Sequence, residues 1–200
     1  MTKNNNHFAE VIESSLIGWL AQSWKWDNFP SFGSLVMTET KDQEIFGIVH
    51  QVQTGSMDPT RSPFPYQKTE EELLREQPQI FEFLKTTFSC LTVGYIEKNS
   101  ISYLLASKPP KIHSFVTISP PQLTKQFFSN EKYLHLLFNL SQQIFNIDEL
   151  ILALLKQQKK LNILTDDKLK IFIHTYSLLT GNDYHRIKLF LQRVEHGILL

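Results

Sequence analysis

The sequence predicts an α+β fold, with a small antiparallel β-barrel first and a C-terminal unit of about four helices after it. Three observations carry this prediction. Short β-branched runs separated by turn residues occupy positions 10–118. Five of the seven glycines lie at or before position 94, where turns and bulges need backbone freedom. Beyond Ser119-Pro120-Pro121 the apolar spacing changes to the three-to-four-residue repeat of amphipathic helices.

The elements follow in order. Glu10–Gly18 and Trp19–Trp26 are short apolar runs with polar interruptions. Ser34–Thr40 and Glu44–Gln53 flank Lys41-Asp42-Gln43, a three-residue hairpin connection, and Phe88–Glu97 and Ser100–Leu104 flank the tight turn Lys98-Asn99. Between these hairpins lies an insertion, residues 54–86. Pro59, Pro63, Pro65 and Pro78 prevent it from continuing a strand. Thr69 and Glu72 form a capping box, so a helix over Glu70–Glu76 is expected to stop before Pro78 and resume over Gln79–Thr86. A last strand is expected over Ile112–Ile118.

Four helices follow: Glu131–Phe145, Asp148–Lys159, one carrying Leu169, Phe172, Ile173, Tyr176 and Leu179, and one carrying Ile187, Phe190, Leu191, Val194 and Ile198. Asn146 and Thr165 read as N-caps and Gly181-Asn182 as a C-cap. The chain divides accordingly into a barrel at 8–120 and a helical domain at 129–200, expected to be separable at Pro120–Ser129.

Composition excludes several classes of function. The 20 basic and 20 acidic residues cancel, so no global field draws the chain to nucleic acid or membrane surfaces. One cysteine, Cys90, permits neither an intramolecular disulfide nor a cysteine-based zinc cluster. No apolar run reaches the length of a membrane span. The polar start, Met1 to His7, predicts neither a signal peptide nor a transit peptide. An excess of Lys over Arg suits an A/T-rich genome, such as that of a plastid or a reduced bacterium.

Specific chemistries fare no better. Neither phosphate-binding glycine motif occurs, so no ATP hydrolysis is expected. The seven histidines show no metal-ligand spacing, and His185 and His196, if helical, stand about 16 Å apart. Neither a catalytic group, nor a metal, nor a cofactor is therefore predicted. Cys90, in an apolar strand, reads as a buried inert thiol, and Trp19, Trp24 and Trp26 as core aromatics. Lys156, Lys159, Lys160, Lys168 and Lys170 are the best nucleic-acid candidates. Residues 129–200 nevertheless carry only a small net positive charge, weak for phosphate binding.

Phe32 to Val36 contains G-x-[LV]-V at a strand opening, Ile45 to Val49 contains [FY]-G-x-V, and Val93-Gly94-Tyr95 is a third glycine-bearing run. They resemble the HAS-barrel, the small β-barrel shared by HerA-type DNA translocases and ATP synthase catalytic subunits. The resemblance is closest to stand-alone HAS-barrel proteins of cyanobacteria and algal plastids. It extends through Gln53–Pro59, Lys68–Leu73, Glu76–Phe81 and Pro109–Val116, covering roughly residues 8–118. It implies a ring-forming or docking barrel beside an ATPase motor. No Walker motif follows the barrel here, so only an adaptor role carries over, in the plastid stroma or the bacterial cytoplasm.

The expected function is a non-enzymatic binding or assembly module docking on a larger protein complex. A nucleic-acid-binding accessory factor is the alternative. The expected partner site is the insertion, where Met57, Phe64 and Tyr66 offer apolar anchors beside Arg61, Glu70 and Glu71. The competing possibility is that these side chains fold back as a plug over an open barrel end.

Overall fold

The computed structural model describes residues 6–40, 43–58, 60 and 62–199. The N-terminal part is a closed six-stranded antiparallel barrel, and most of the seven α-helices among the described residues lie C-terminal to it. The strands are β1 (Ala9–Ser14), β2 (Gly18–Ser23), β3 (Leu35–Glu39), β4 (Glu44–Ser56), β5 (Leu84–Glu97), β6 (Ser100–Ser102) and β7 (Phe115–Ile118). Round the barrel the order is β1-β2-β5-β4-β3-β7, closed where β7 returns to β1, and β6 is appended to β5 outside the ring. The Lys98-Asn99 turn has φ of 49° and 63°, the positive pair that a two-residue hairpin requires. Lys41 and Asp42, predicted in the other hairpin turn, lie outside the described residues.

Strand alternation separates two apolar sets. Val11, Trp19, Ala21, Val36, Val49, Phe88, Cys90 and Val116 form the barrel's inner cluster. Leu35, Met37, Phe46, Ile48, Leu91 and Val93 belong to a second cluster shared with the helices. Both sets are buried because both faces of β3, β4 and β5 are covered, which explains their nearly continuous hydrophobic runs. Bulges in β1 and at two points of the β4–β5 pairing let the strands bend around the ring.

Of the three tryptophans only Trp19 is core. Trp24 is 54% exposed, with its indole N–H donating to Glu10. Trp26 is half-buried and stacks on Phe81. The difference follows from position, since β2 ends at Ser23 and the two later indoles lie beyond it.

Trp19 also dictates Gly47. A Cβ at Gly47 would stand 2.7 Å from the Trp19 ring and 2.9 Å from the Cys90 Cβ, closer than real carbon contacts allow. Both neighbours are locked inside the closed barrel. Gly47→Ala is expected to destabilise by about 1–3 kcal/mol through overpacking, measured as a lower urea midpoint. An unchanged midpoint would mean that the interior repacks freely.

The helices are α1 (Glu70–Glu76), α2 (Gln79–Glu82), α3 (Pro121–Phe127), α4 (Tyr133–Asn139), α5 (Ile147–Lys160), α6 (Asp166–Leu179) and α7 (Tyr184–Val194). A short 3-10 turn (Ser141–Gln143) follows α4, and a π-helical turn (Glu195–Leu199) follows α7. The predicted caps form: Asn146 accepts from the amides of Asp148 and Glu149, and Thr165 from that of Lys168. At the end of α6, Gly181 at φ 68° lets its amide reach Leu178 and that of Asn182 reach Ser177, a Schellman closure.

Two predicted helices end early. The one expected over Glu131–Phe145 gives way to the 3-10 turn, where Asn139 and Ser141 favour the backbone less in α form. The one expected to run to Thr86 stops at Glu82, because Leu84–Thr86 pairs with Thr54–Ser56. Helix α3 occupies most of the segment predicted as the domain boundary.

Asp148 ties the helical part together. Its carboxylate accepts from the Tyr176 hydroxyl of α6 at 2.9 Å and from Arg186 of α7 at 2.7 and 3.1 Å. Phe172, Tyr176 and Phe190 stack beneath it.

Candidate functional site

The predicted insertion is carried on a ribbon. Strands β4 and β5 continue to the Ser56–Leu84 pair, well past the end of β3, which pairs only as far as Ile48. A hydrogen bond between the Thr54 and Thr86 hydroxyls at 2.7 Å ties the extension across its width, and the Met57 amide donates to the Phe83 carbonyl at 2.7 Å. The ribbon holds the intervening segment away from the inner cluster.

The segment is built locally. Thr69 caps α1 by accepting from the Glu72 amide while the Glu72 carboxylate accepts from the Thr69 amide. That backbone bond, with the hydroxyl contact, holds the Glu72 carboxyl below its usual range. Lys68 pairs with Glu76, lowering the Glu76 pKa and raising its own. Stacking of Phe81 on Trp26 at 5.4 Å fixes α2 to the segment after β2. Asp58 accepts from the Thr60 hydroxyl and amide, and these bonds keep its carboxylate ionised at lower pH than usual.

These elements enclose an open, mainly apolar cavity of about 590 Å³. Phe64, Tyr66, Leu73, Ile80, Phe83 and Leu84 line it, with Asp58 and Ser56. Phe64 and Tyr66 meet edge to face at 5.7 Å. Phe64 is 71% exposed, Phe83 61% and Met57 49%, and none of the three belongs to either hydrophobic cluster. The barrel is filled by its own strand residues, Trp19 and Phe88 among them, so Phe64 is not a plug. Glu70 lies one turn before Leu73 on α1, and with exposed Glu71 it adds carboxylates on the helix that lines the cavity.

Of the predicted anchors, the structure therefore brings Phe64 and Tyr66 together and leaves Met57 exposed nearby in the chain. Arg61 and Pro59 lie outside the described residues. Sequence reasoning missed Asp58, Leu73, Ile80, Phe83 and Leu84. Leu73 was legible as the apolar member of a charged helix. Phe83 and Leu84 were not, because the local sequence reads as a helix running on to Thr86.

The lysines of the nucleic-acid alternative are dispersed in role. Lys168 donates to the Phe128 carbonyl at 3.2 Å and Lys170 pairs with Asp167 at 3.2 Å. Lys159 and Lys160 close the last turn of α5, where cations complement the helix dipole. Lys156 lines a shallow cleft with Glu149 and Arg193.

Elsewhere, Cys90 is buried and its thiol is pushed up by desolvation. His50, in the β4 bulge, is held below its ordinary value by burial. Among the described residues, neither a metal-ligating group of three or more His, Cys, Asp and Glu nor a helix long and apolar enough to cross a membrane is present. No family model matches the chain, and no curated protein matches it.

Proposed function

We propose that the chain is a non-enzymatic binding or assembly module, a HAS-like barrel whose insertion docks on a larger protein complex in the plastid stroma or bacterial cytoplasm. The observation that carries this reading is the exposed Phe64–Tyr66 pair at the mouth of an apolar cavity. Large aromatics in a concave apolar site are the side chains that dominate binding energy at protein interfaces. The six-stranded closure and Gly33 just ahead of β3 support the HAS-like part of the reading.

Affinity purification from native cells tests it, comparing the wild type with Phe64→Ala/Tyr66→Ala. The double variant is expected to lose co-purifying protein while its stability falls by about 1 kcal/mol or less, as befits exposed positions. A loss of about 3 kcal/mol or more would instead mark the two rings as structural. Retention of every partner by a stable double variant would remove the docking site from the insertion. Steeply salt-dependent retention on DNA or RNA would favour the lysine set instead.

A further inference from the structure

The edge of the ribbon bears on what kind of partner the cavity takes. Beyond the bulge at His50, β4 pairs with β5 on one side only. The Met57 amide bonds the Phe83 carbonyl, and hydrogen-bonding direction alternates along an antiparallel pair. The amides and carbonyls of Ser56, Thr54 and Val52 consequently face away from β5. Among the described residues none bonds to them. Gln51, Gln53 and Thr54 are exposed, and Gln51–Ser56 carries neither a charge nor a proline, the usual guards of a free edge. This edge runs directly into the cavity, since Ser56 and Leu84 are both its wall and the last pair of the ribbon.

The geometry points to β-strand addition: an extended segment of a partner polypeptide pairs with Val52–Ser56 and inserts an apolar side chain into the cavity. The inference rests on the docking reading of the insertion and names the partner's chemistry. Main-chain bonds to the edge would supply affinity, and alternate side chains specificity. Glu70 and Glu71, exposed on the helix that lines the cavity, select a segment that also carries Lys or Arg. A second copy of the chain fits poorly. Antiparallel pairing about Thr54 would offer the cavity the copy's own residues before Val52, and those are held in its barrel, where Val49 bonds Gly33 and Ser34.

The test selects a displayed library of random peptides, about ten residues long, on the full chain. Enriched peptides are expected to alternate apolar residues and to include a basic one. Thr54→Pro, which removes an outward amide and leaves the ladder to β5 intact, should weaken them about tenfold or more. Thr54→Val, which keeps the amide, should bind as the wild type does. Should Thr54→Pro fail to fold, N-methylation along a selected peptide gives the same answer: binding falls at every second amide only.

Uniform tolerance of N-methylation, or full binding by folded Thr54→Pro, overturns strand addition. If Phe64→Ala/Tyr66→Ala still abolishes binding in that case, the docking reading stands without it. Peptides indifferent to both variants overturn the two together. A library that yields no binder, or a concentration-dependent dimer of the chain that Thr54→Pro dissolves, overturns the partner-strand assignment alone.

Discussion

A chain truncated to residues 8–122 is expected to be expressed as an aggregated or uncooperatively folded polypeptide. The boundary falls where β gives way to α, but the hydrophobic cluster does not stop there. Leu35, Met37, Phe46, Ile48, Leu91 and Val93 of the barrel belong to the same cluster as Phe127, Tyr133, Leu137, Leu150 and Leu154 of the helices. Removing the helices would uncover aliphatic and aromatic side chains on three adjacent strands, a patch of the kind that drives association in water. Size-exclusion chromatography and thermal denaturation of the truncated chain check this. A soluble monomer with one sharp transition would show that the barrel folds alone, and the division at residue 120 would then mark two independent domains.

Phe127→Ala is expected to destabilise the whole chain by about 3–5 kcal/mol, the range for removing a buried Phe. Phe127 is fully buried at the seam. Its ring lies 4.8 Å from that of Phe46 on β4, 5.2 Å from Tyr103 and from Phe128, and 5.8 Å from Tyr133. The Tyr103 hydroxyl also donates to the Phe127 carbonyl at 2.6 Å. The cavity left by the substitution would open between sheet and helices together. Circular dichroism, which follows the helices, and fluorescence of Trp19, Trp24 and Trp26, which all lie in or next to β2 of the barrel, should therefore lose stability in parallel. A fluorescence transition left at its original midpoint would show that the barrel does not depend on the seam.

The insertion separates what local chemistry can specify from what it cannot. Helix α1 was legible to the residue because Thr69 and Glu72 satisfy each other's backbone within four positions. The aromatic pair Phe64 and Tyr66 was legible as candidate anchors from residue type alone. The cavity was not, since Leu73, Ile80, Phe83 and Leu84 meet only because a ribbon pairs Ser56 with a residue 28 positions away. Leu84–Thr86 reads as helix until that pairing is known, and the tertiary ladder overrides the local preference.

The same division holds for the whole molecule. By itself the sequence determined the β-then-α order, the capped helix starts at Asn146 and Thr165, the Lys98-Asn99 turn and the buried thiol of Cys90, because each depends on nearest neighbours or on residue type. Only the tertiary structure decided that Trp19 fills the barrel while Trp24 faces water, and that one apolar cluster joins barrel to helices. It alone left β4, among the described residues, paired on one side only beyond His50 and beside a cavity. Those features depend on which distant strands close the ring and which face of each strand a helix covers, and a local pattern of apolar residues is the same for either face.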